Sequence, residues 1–224
     1  MTMNYAMDFS LVITNFNKGQ FLDRAVRSCL NQYILRKKSQ VIVIDDGSTD
    51  NSIDLLHEYY TEITVIKNST NKGIAAASNA GLYASTAPYW MRVDADDYLS
   101  AEACSHMGVI LDNNPEIDFV YCDHIRVDVH GMRAEYVRLD TEKQLYRHGA
   151  GILFRKSRLL EIGGYDEEFK NAEDYDLLVR LKKIGSNGFY LPVPLYRYYI
   201  HGGNMTLTDD RKKYWKKVKE KHGI

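Results

Sequence analysis

Apolar residues come in short runs separated by stretches with helical spacing. Phe9–Ile13 reads as a strand, and after it Phe21, Leu22, Ala25, Val26, Cys29 and Leu30 fall on one helical face. Val41–Ile44 is a continuous β-branched run, the kind buried on both faces of a parallel sheet. A helix over roughly 51–60, a strand at Ile63–Ile66, an alanine-rich helix over Ile74–Ala84 and a strand at Tyr89–Val93 continue the alternation, with Pro88 marking a break. A helix near 101–112 and a strand at Ile117–Cys122 complete it. Such an order predicts an α/β fold with a mostly parallel sheet between helices. Beyond Asp123 the rhythm changes. His124–Val129 and Met132–Leu139 predict an antiparallel hairpin around His130-Gly131. A short strand at Gly151–Phe154, a helix over Asp174–Ile184 and extended segments at Phe189–Leu191 and Leu195–Ile200 follow. The reading is one domain over 1–224. A nucleotide-binding half (about 9–123) comes first, then a mixed, acceptor-binding half (about 124–206) and a basic C-terminal helix or tail (207–224).

Composition narrows this little. In 224 residues, 45% are hydrophobic and 26% charged, the balance of an ordinary globular domain, and the net charge of −1 gives no field that would draw nucleic acid. Cys29, Cys104 and Cys122 lack metal-type spacing and read as reduced thiols, which suits the cytoplasm. The N-terminus carries no signal-peptide pattern, and no run reaches the roughly 20 apolar residues of a membrane span. The segment from Arg211 to His222 holds six lysines, with Tyr214, Trp215 and Val218 as a narrow apolar stripe. It reads as a solvated helix, with peripheral contact to an anionic inner membrane face as the second option.

In an open parallel sheet, ligands bind beyond the carboxyl ends of the strands. Polar residues gather there: Thr14-Asn15-Phe16-Asn17, Asp45-Asp46-Gly47-Ser48-Thr49-Asp50, Asn68 and Asn71, and Asp94-Ala95-Asp96-Asp97. Each motif alone is compatible with turns and helix caps. Three carboxylates within Asp94–Asp97 repel one another, and a divalent cation removes that cost. Hard oxygen ligands suit Mg²⁺ or Mn²⁺, which takes one or two protein carboxylates and completes its shell with phosphate oxygens. A glycine-rich dinucleotide fingerprint and a P-loop are both absent. Glu173-Asp174 opens a helix. It is either a cap or, opposite a metal, a general base for an attacking hydroxyl.

Six segments carry a resemblance: SLVITNFNKGQFLDRAVRSCLNQ, VIVIDDGSTDNS, NKGIAAASNAGLYAS, PYWMRVDADDYLS, GGYDEEFKNAEDYDLLVRL and YRYYIHGGNMT. Together, and in this order from Phe9 to Thr206, they resemble the inverting family-two glycosyltransferases with a GT-A fold. The resemblance implies a nucleotide-sugar donor, most naturally a UDP-sugar, and a glycan or lipid-linked acceptor. It also implies roles: Thr14, Phe16 and Asp46 around the uridine, with Asp46 accepting from the base imide N–H. Asp94 falls near the ribose and Asp96 on the metal, with Asp97 as an alternative ligand. Asp174 is the base beside Glu173, and His201 reaches the metal or diphosphate, a loop histidine being the bland alternative.

Two departures stand out. Phe16 keeps a stacking ring where a tyrosine is common, and Ser78 stands where an arginine is common before Asn-x-Gly, so a basic donor contact must come from elsewhere, with Lys72 as the candidate. Two rival functions remain: a sugar nucleotidyltransferase, which would carry a glycine-rich basic loop where Asn15–Phe21 has none, and a binding module without catalysis.

Overall fold

The computed structural model of the chain describes residues 8–34, 38–128, 130, 132–149, 151–202, 204 and 210–224. The elements in chain order are β1 (Phe9–Asn15), α1 (Gly19–Leu30), β2 (Ser39–Asp45), α2 (Ser52–Leu56, continued by a 3₁₀ turn), β3 (Thr64–Lys67), α3 (Ile74–Ala84) and β4 (Tyr89–Asp94). Then come β5 (Tyr98–Leu99), α4 (Ala103–Asn113), β6 (Phe119–Val127), β7 (Arg133–Val137), α5 (Glu142–Leu145) and β8 (Leu153–Arg155). The chain continues through α6 (Lys156–Glu161), α7 (Glu173–Lys183), β9 (Gly188–Tyr199) and α8 (Asp210–His222).

One sheet runs in the order β3-β2-β1-β4-β8-β6-β9-β5, with β7 attached to β6. The pairs β1–β2, β1–β4 and β2–β3 are parallel, as the alternating pattern predicts. β8 inserts antiparallel between β4 and β6, and β9 pairs parallel to β6. The long strands therefore share one direction, while β5, β7 and β8 oppose it. Because only Ala95–Asp97 separate β4 from β5, and β5 pairs with the far strand β9, the sheet curls back on itself at the acidic segment.

Alternation along β1 divides the core into two layers. Phe9, Leu11 and Ile13 pack with Leu22, Ala25, Val26 and Cys29 of α1 and with Cys104, Met107 and Leu111 of α4. Val12, Ile42, Ile44 and Trp90 pack on the other side with Ala75, Ala77 and Leu82 of α3 and Leu177, Leu178 and Leu181 of α7. The small residues of α3 let it lie close to the sheet: a Cβ at Gly81 would sit 2.2 Å from a Val12 methyl. At about 25 cal/mol per Å² of apolar area removed from water, these two layers are the main source of stability.

Three expectations are corrected in detail. Ile117–Cys122 and His124–Val129 are one strand, β6, whose hairpin with β7 forms as expected, although residues 129 and 131 lie outside the described residues. The segments at Phe189–Leu191 and Leu195–Ile200 also merge, into β9. Pro192 and Pro194 cannot donate to the ladder, and a register shift absorbs them, Cys122 pairing with Leu191 and Asp123 with Pro194. The apolar stripe of α8 is not free. Val218 is fully buried against Phe169, Ala172, Tyr175 and Val179, and Trp215 stacks on Tyr175 at 4.4 Å between ring centroids. His222 Nε2 meets Asp176 Oδ1 at 2.7 Å, and Lys221 pairs with Asp166. Among the described residues no helix is long and apolar enough to cross a membrane.

Candidate functional site

The carboxyl ends of β1, β2 and β4 open into a cleft of about 470 Å³. Along its first wall lie Thr14, Phe16, Asp46, Asn71, Gly73 and Ile74. Its floor holds Lys18, Arg92, Asp94 and Asp96, and its far wall is built from His148, Gly149, Glu173, Asp174 and Tyr175, with Trp215 of α8. The cleft thus collects seven of the ten residues singled out in the sequence: Thr14, Phe16, Asp46, Asp94, Asp96, Glu173 and Asp174. Lys72, Asp97 and His201 do not line it directly.

The first wall is set by side chains that tie the strand ends to the following loops. Asn15 donates to Asp45 Oδ1 (2.8 Å) and Ser48 Oγ (3.1 Å), and the Asn17 side chain, on a left-handed backbone (φ 54°), accepts from the Thr49 and Asp50 N–H groups. Asp46 is buried. Its Oδ1 accepts from Asn68 Nδ2 (2.8 Å) and Lys72 N (3.0 Å), and its Oδ2 from Lys72 N (3.0 Å) and Gly73 N (2.8 Å). Asp46 therefore fixes the loop ahead of α3, and a base N–H would be a further donor to oxygens already engaged. Lys72 enters this arrangement through its backbone; its side chain is exposed and outside the cleft. Phe16 stands at the rim, 42% exposed, with its ring free for stacking.

The acidic segment splits into three roles. Asp97 is 1% exposed and accepts from Tyr196 Oη (2.8 Å) and the Tyr199 N–H (2.8 Å), so it anchors β9 under the site. Burial, then Asp96 and Asp94, push its carboxyl well above the usual range. Both of its oxygens are committed, which leaves Asp96 as the member of the pair that faces the cleft. Asp96 Oδ2 meets Lys18 Nζ at 2.8 Å and His201 Nε2 at 2.8 Å, while Lys18 Nζ and His201 Nε2 are 3.3 Å apart. Burial raises the Asp96 carboxyl, but Lys18 and His201 more than offset this and hold it below the ordinary value. Asp94, 3.1 Å from Arg92 Nε, is pushed up to about 6 by burial, with Asp96 and Asp174 adding repulsion.

Arg92 is the site residue that sequence reasoning missed. Trp90, Arg92 and Asp94 share one face of β4, the face toward α3 and α7. The guanidinium, 2% exposed, donates from Nη1 to Glu173 Oε1 (3.0 Å) and from Nη2 to Asp174 Oδ2 (3.0 Å), and Nη1 also reaches Ser78 Oγ at 3.5 Å. An arginine inside an otherwise apolar strand was a usable signal, because a buried charge requires partners. Burial opposes its charge, and Asp174, Asp94 and Glu173 more than reverse that.

α7 begins at the cleft from Ala172, a non-glycine residue in the left-handed region (φ 71°), which turns Glu173 and Asp174 toward β4. Glu173 is buried, and burial, then Asp174, raise its carboxyl to about 8. It is therefore the neutral partner near pH 7. Asp174 keeps one oxygen on Arg92; its Oδ1 is buried with no hydrogen-bond partner among the described residues. Gly149 permits this placement, since a Cβ there would fall 1.8 Å from Asp174 Cγ. The N-cap of α7 is Ala172, without a side-chain cap, and the first-turn carboxylates Glu173 and Asp174 are both bound to Arg92.

Two ligand-type side chains of the kind a divalent cation takes meet at one point. Asp96 Oδ2 and His201 Nε2 converge on the Lys18 ammonium, so two ligand-type atoms already surround one positive charge. Among the described residues no group of three or more His, Cys, Asp or Glu side chains is arranged to hold a metal. Such a centre would complete its shell from the bound ligand, as Mg²⁺ and Mn²⁺ commonly do with phosphates.

Comparison with known proteins gives the same grouping. The family description Glycosyl transferase family 2 matches residues 10–163, and Glycosyltransferase like family 2 matches 115–221. The chain belongs to glycosyl transferase family 2. It is 27% identical over 216 residues to a chondroitin synthase of Pasteurella multocida, covering 91% of this chain and 22% of that synthase. Its fold superposes on S. aureus TarS in complex with UDP-GlcNAc at a TM-score of 0.79, with 20% identity, 95% of this chain and 65% of that one. The mannosyltransferase PcManGT of Pyrobaculum calidifontis, in complex with GDP-Man and Mn²⁺, superposes at 0.70, with 17% identity, 98% of this chain and 62% of that one. The chain spans less than two thirds of the length of each of these proteins. The GT-A fold expected from the motifs is the fold observed.

Proposed function

We propose that the protein transfers a sugar from a UDP-sugar to an acceptor hydroxyl with inversion, with Mn²⁺ or Mg²⁺ bound at Asp96 and His201. The observation that carries this reading is the Asp174 carboxylate. One of its oxygens is fixed by Arg92 and the other is buried and unengaged, across the cleft floor from the Asp94–Asp96 segment. In this reading Thr14, Phe16 and the loop held by Asp46 receive the nucleoside, with Phe16 stacking on the base. Asp94 lies toward the ribose. Lys18, if a cation took its place at Asp96, would be the basic group for the diphosphate, the role expected of Lys72.

The acceptor, a glycan or lipid-linked glycan, enters from the wall formed by His148, Tyr175 and Trp215. Its hydroxyl oxygen attacks the anomeric carbon as the bond from that carbon to the diphosphate oxygen breaks, and the Asp174 carboxylate takes the hydroxyl proton. A metal held by Asp96 and His201 would neutralise charge on the departing diphosphate. Glu173, whose carboxyl burial raises, shares the Arg92 guanidinium with Asp174. The ligands of the related structures, UDP-GlcNAc and GDP-Man with Mn²⁺, lend support to nucleotide-sugar and metal binding without choosing the base. The choice of uridine rests on Phe16 and on Asp46 at the end of β2. Calorimetric titration with UDP and GDP, each with Mn²⁺, tests it: tighter UDP binding is expected, and equal or tighter GDP binding would refute the uridine assignment. A basic peripheral membrane contact through α8 would have to use its lysine face alone, because Trp215 and Val218 are packed on α7.

A further inference from the structure

Arg92 has no role in the reading above beyond holding Asp174, yet its surroundings are unusual. Its guanidinium lies among three carboxylates from two elements: Asp94 on its own strand, and Glu173 and Asp174 at the start of α7. One buried cation thus ties the acidic end of β4 to the start of α7. Removing a partner from a buried ion pair leaves an uncompensated charge, and the group then moves or takes up a proton. Without Arg92, Asp174 would therefore lose the partner that orients it. The fourth neighbour is Ser78 of α3, whose hydroxyl is 3.5 Å from Nη1. Ser78 is fully buried and faces the same space from α3.

We propose that Arg92 is the positioning residue of the transfer step: from β4 it orients the Asp174 carboxylate toward the acceptor and ties it to Asp94, and the position of the guanidinium matters rather than the strand that supplies it. This rests on the reading of Asp174 as the general base. The alternative is a counter-charge that merely lets three carboxylates be buried together. The two differ in a checkable way. An arginine side chain at position 78 begins where the Ser78 hydroxyl now sits, and its remaining bonds cover the gap to the present guanidinium site. Ser78→Arg combined with Arg92→Met therefore returns the same group to the same place from α3.

The experiment measures kcat, acceptor KM and melting temperature for the full chain and for Arg92→Met, Arg92→Lys, Ser78→Arg/Arg92→Met and Asp174→Asn. Arg92→Met should lower kcat by about 100-fold, with acceptor KM little changed, because misplacing a catalytic group by ~1 Å is enough for such a loss. Arg92→Lys, which keeps a charge but cannot bridge two carboxylates with one planar fork, should recover less than the relocated arginine. Ser78→Arg/Arg92→Met should regain at least about 10-fold of the lost kcat. Recovery of melting temperature in the double variant without recovery of kcat would make the guanidinium a structural counter-charge and overturn the proposal. A folded Arg92→Met with kcat within about three-fold of wild type would overturn it too. If Arg92→Met does not fold, the double variant decides by the same criterion. Wild-type kcat in Asp174→Asn would instead remove the base reading, whereas an inactive Asp174→Asn beside a fully active Arg92→Met removes this inference alone.

Discussion

Gly149→Ala is a small change at a residue with no chemistry of its own, and the geometry assigns it a large effect. The added Cβ would lie 1.8 Å from Asp174 Cγ and 2.1 Å from both Asp174 Cβ and Oδ2. A change of Asp174 rotamer moves Cγ and the oxygens but leaves Cβ in place, so the clash survives it. Opening that contact from 2.1 Å to even the 3.0 Å floor for real Cβ contacts requires the 147–149 segment or the start of α7 to move by 0.9 Å. The Arg92 Nη2–Asp174 Oδ2 bond, now 3.0 Å, would stretch beyond hydrogen-bonding range if the shift fell along it. Displacing a catalytic group by ~1 Å costs about 10²-fold in rate. Overpacking of this kind costs about 1–3 kcal/mol, and for a chain of this size each kcal/mol lowers Tm by about 2–4 °C. The assay is release of nucleoside diphosphate under saturating donor and acceptor, alongside calorimetric titration of UDP and a thermal melt. kcat should fall by about two orders of magnitude while UDP affinity holds, since Gly149 is on the far wall. A folded Gly149→Ala with wild-type kcat would refute the placement of Asp174 as the reacting group.

Chelation should abolish transfer and added Mn²⁺ should restore it; Asp96→Ala should lose metal-dependent donor binding with little change in melting temperature, and full activity in excess chelator would dismiss the metal. His201→Ala should weaken Mn²⁺ binding, read by titration of the ion with UDP present, and unchanged affinity would return His201 to a packing role beside Phe21 and Asp96. Glu173 carries a pH signature. Its carboxyl is raised from 4.5 to about 8, so the folded state binds the proton more tightly than the unfolded chain does. That stability is fully present below about pH 4.5 and is lost as pH rises toward 8. Glu173→Gln, neutral throughout, should flatten this slope in denaturant titrations between pH 5 and pH 8, and an unchanged slope would mean that Glu173 is ionised in the fold.

The parallel half of the fold was legible because β1, β2 and β4 are buried on both faces and read as largely apolar runs. The polar residues at their ends stood out for the same reason. β9 was harder: Pro192 and Pro194 look like strand breakers, and only the register shift against β6 shows how they are accommodated. Asp96 and Asp97 could not be separated in sequence, because adjacent residues in a tight connection differ only in which way they turn. Tyr196 and Tyr199, a hundred residues on, decide that Asp97 is an anchor. Arg92 was overlooked because attention fell on the carboxylates two residues later, although a charged residue amid Tyr-Trp-Met-x-Val calls for a buried partner. The serine at position 78 gave the absence of a basic group on α3, and the contact from Arg92 to Ser78 shows which residue fills that space. The stripe of α8 was read correctly as helical, but its packing on Tyr175 depends on a tertiary contact that no local pattern contains.

The most direct test is single-turnover transfer from a UDP-sugar with Mn²⁺ present, comparing wild type with Asp174→Asn at saturating acceptor. Asparagine keeps the size of the side chain and can still accept from Arg92, but it cannot take a proton. The account predicts a fall of about 10²–10⁴-fold in the transfer rate, UDP affinity near wild type, and loss of the acidic limb of the pH–rate profile. A transfer rate in Asp174→Asn within a few-fold of wild type, or undiminished transfer by wild type after the metal is removed, would contradict it.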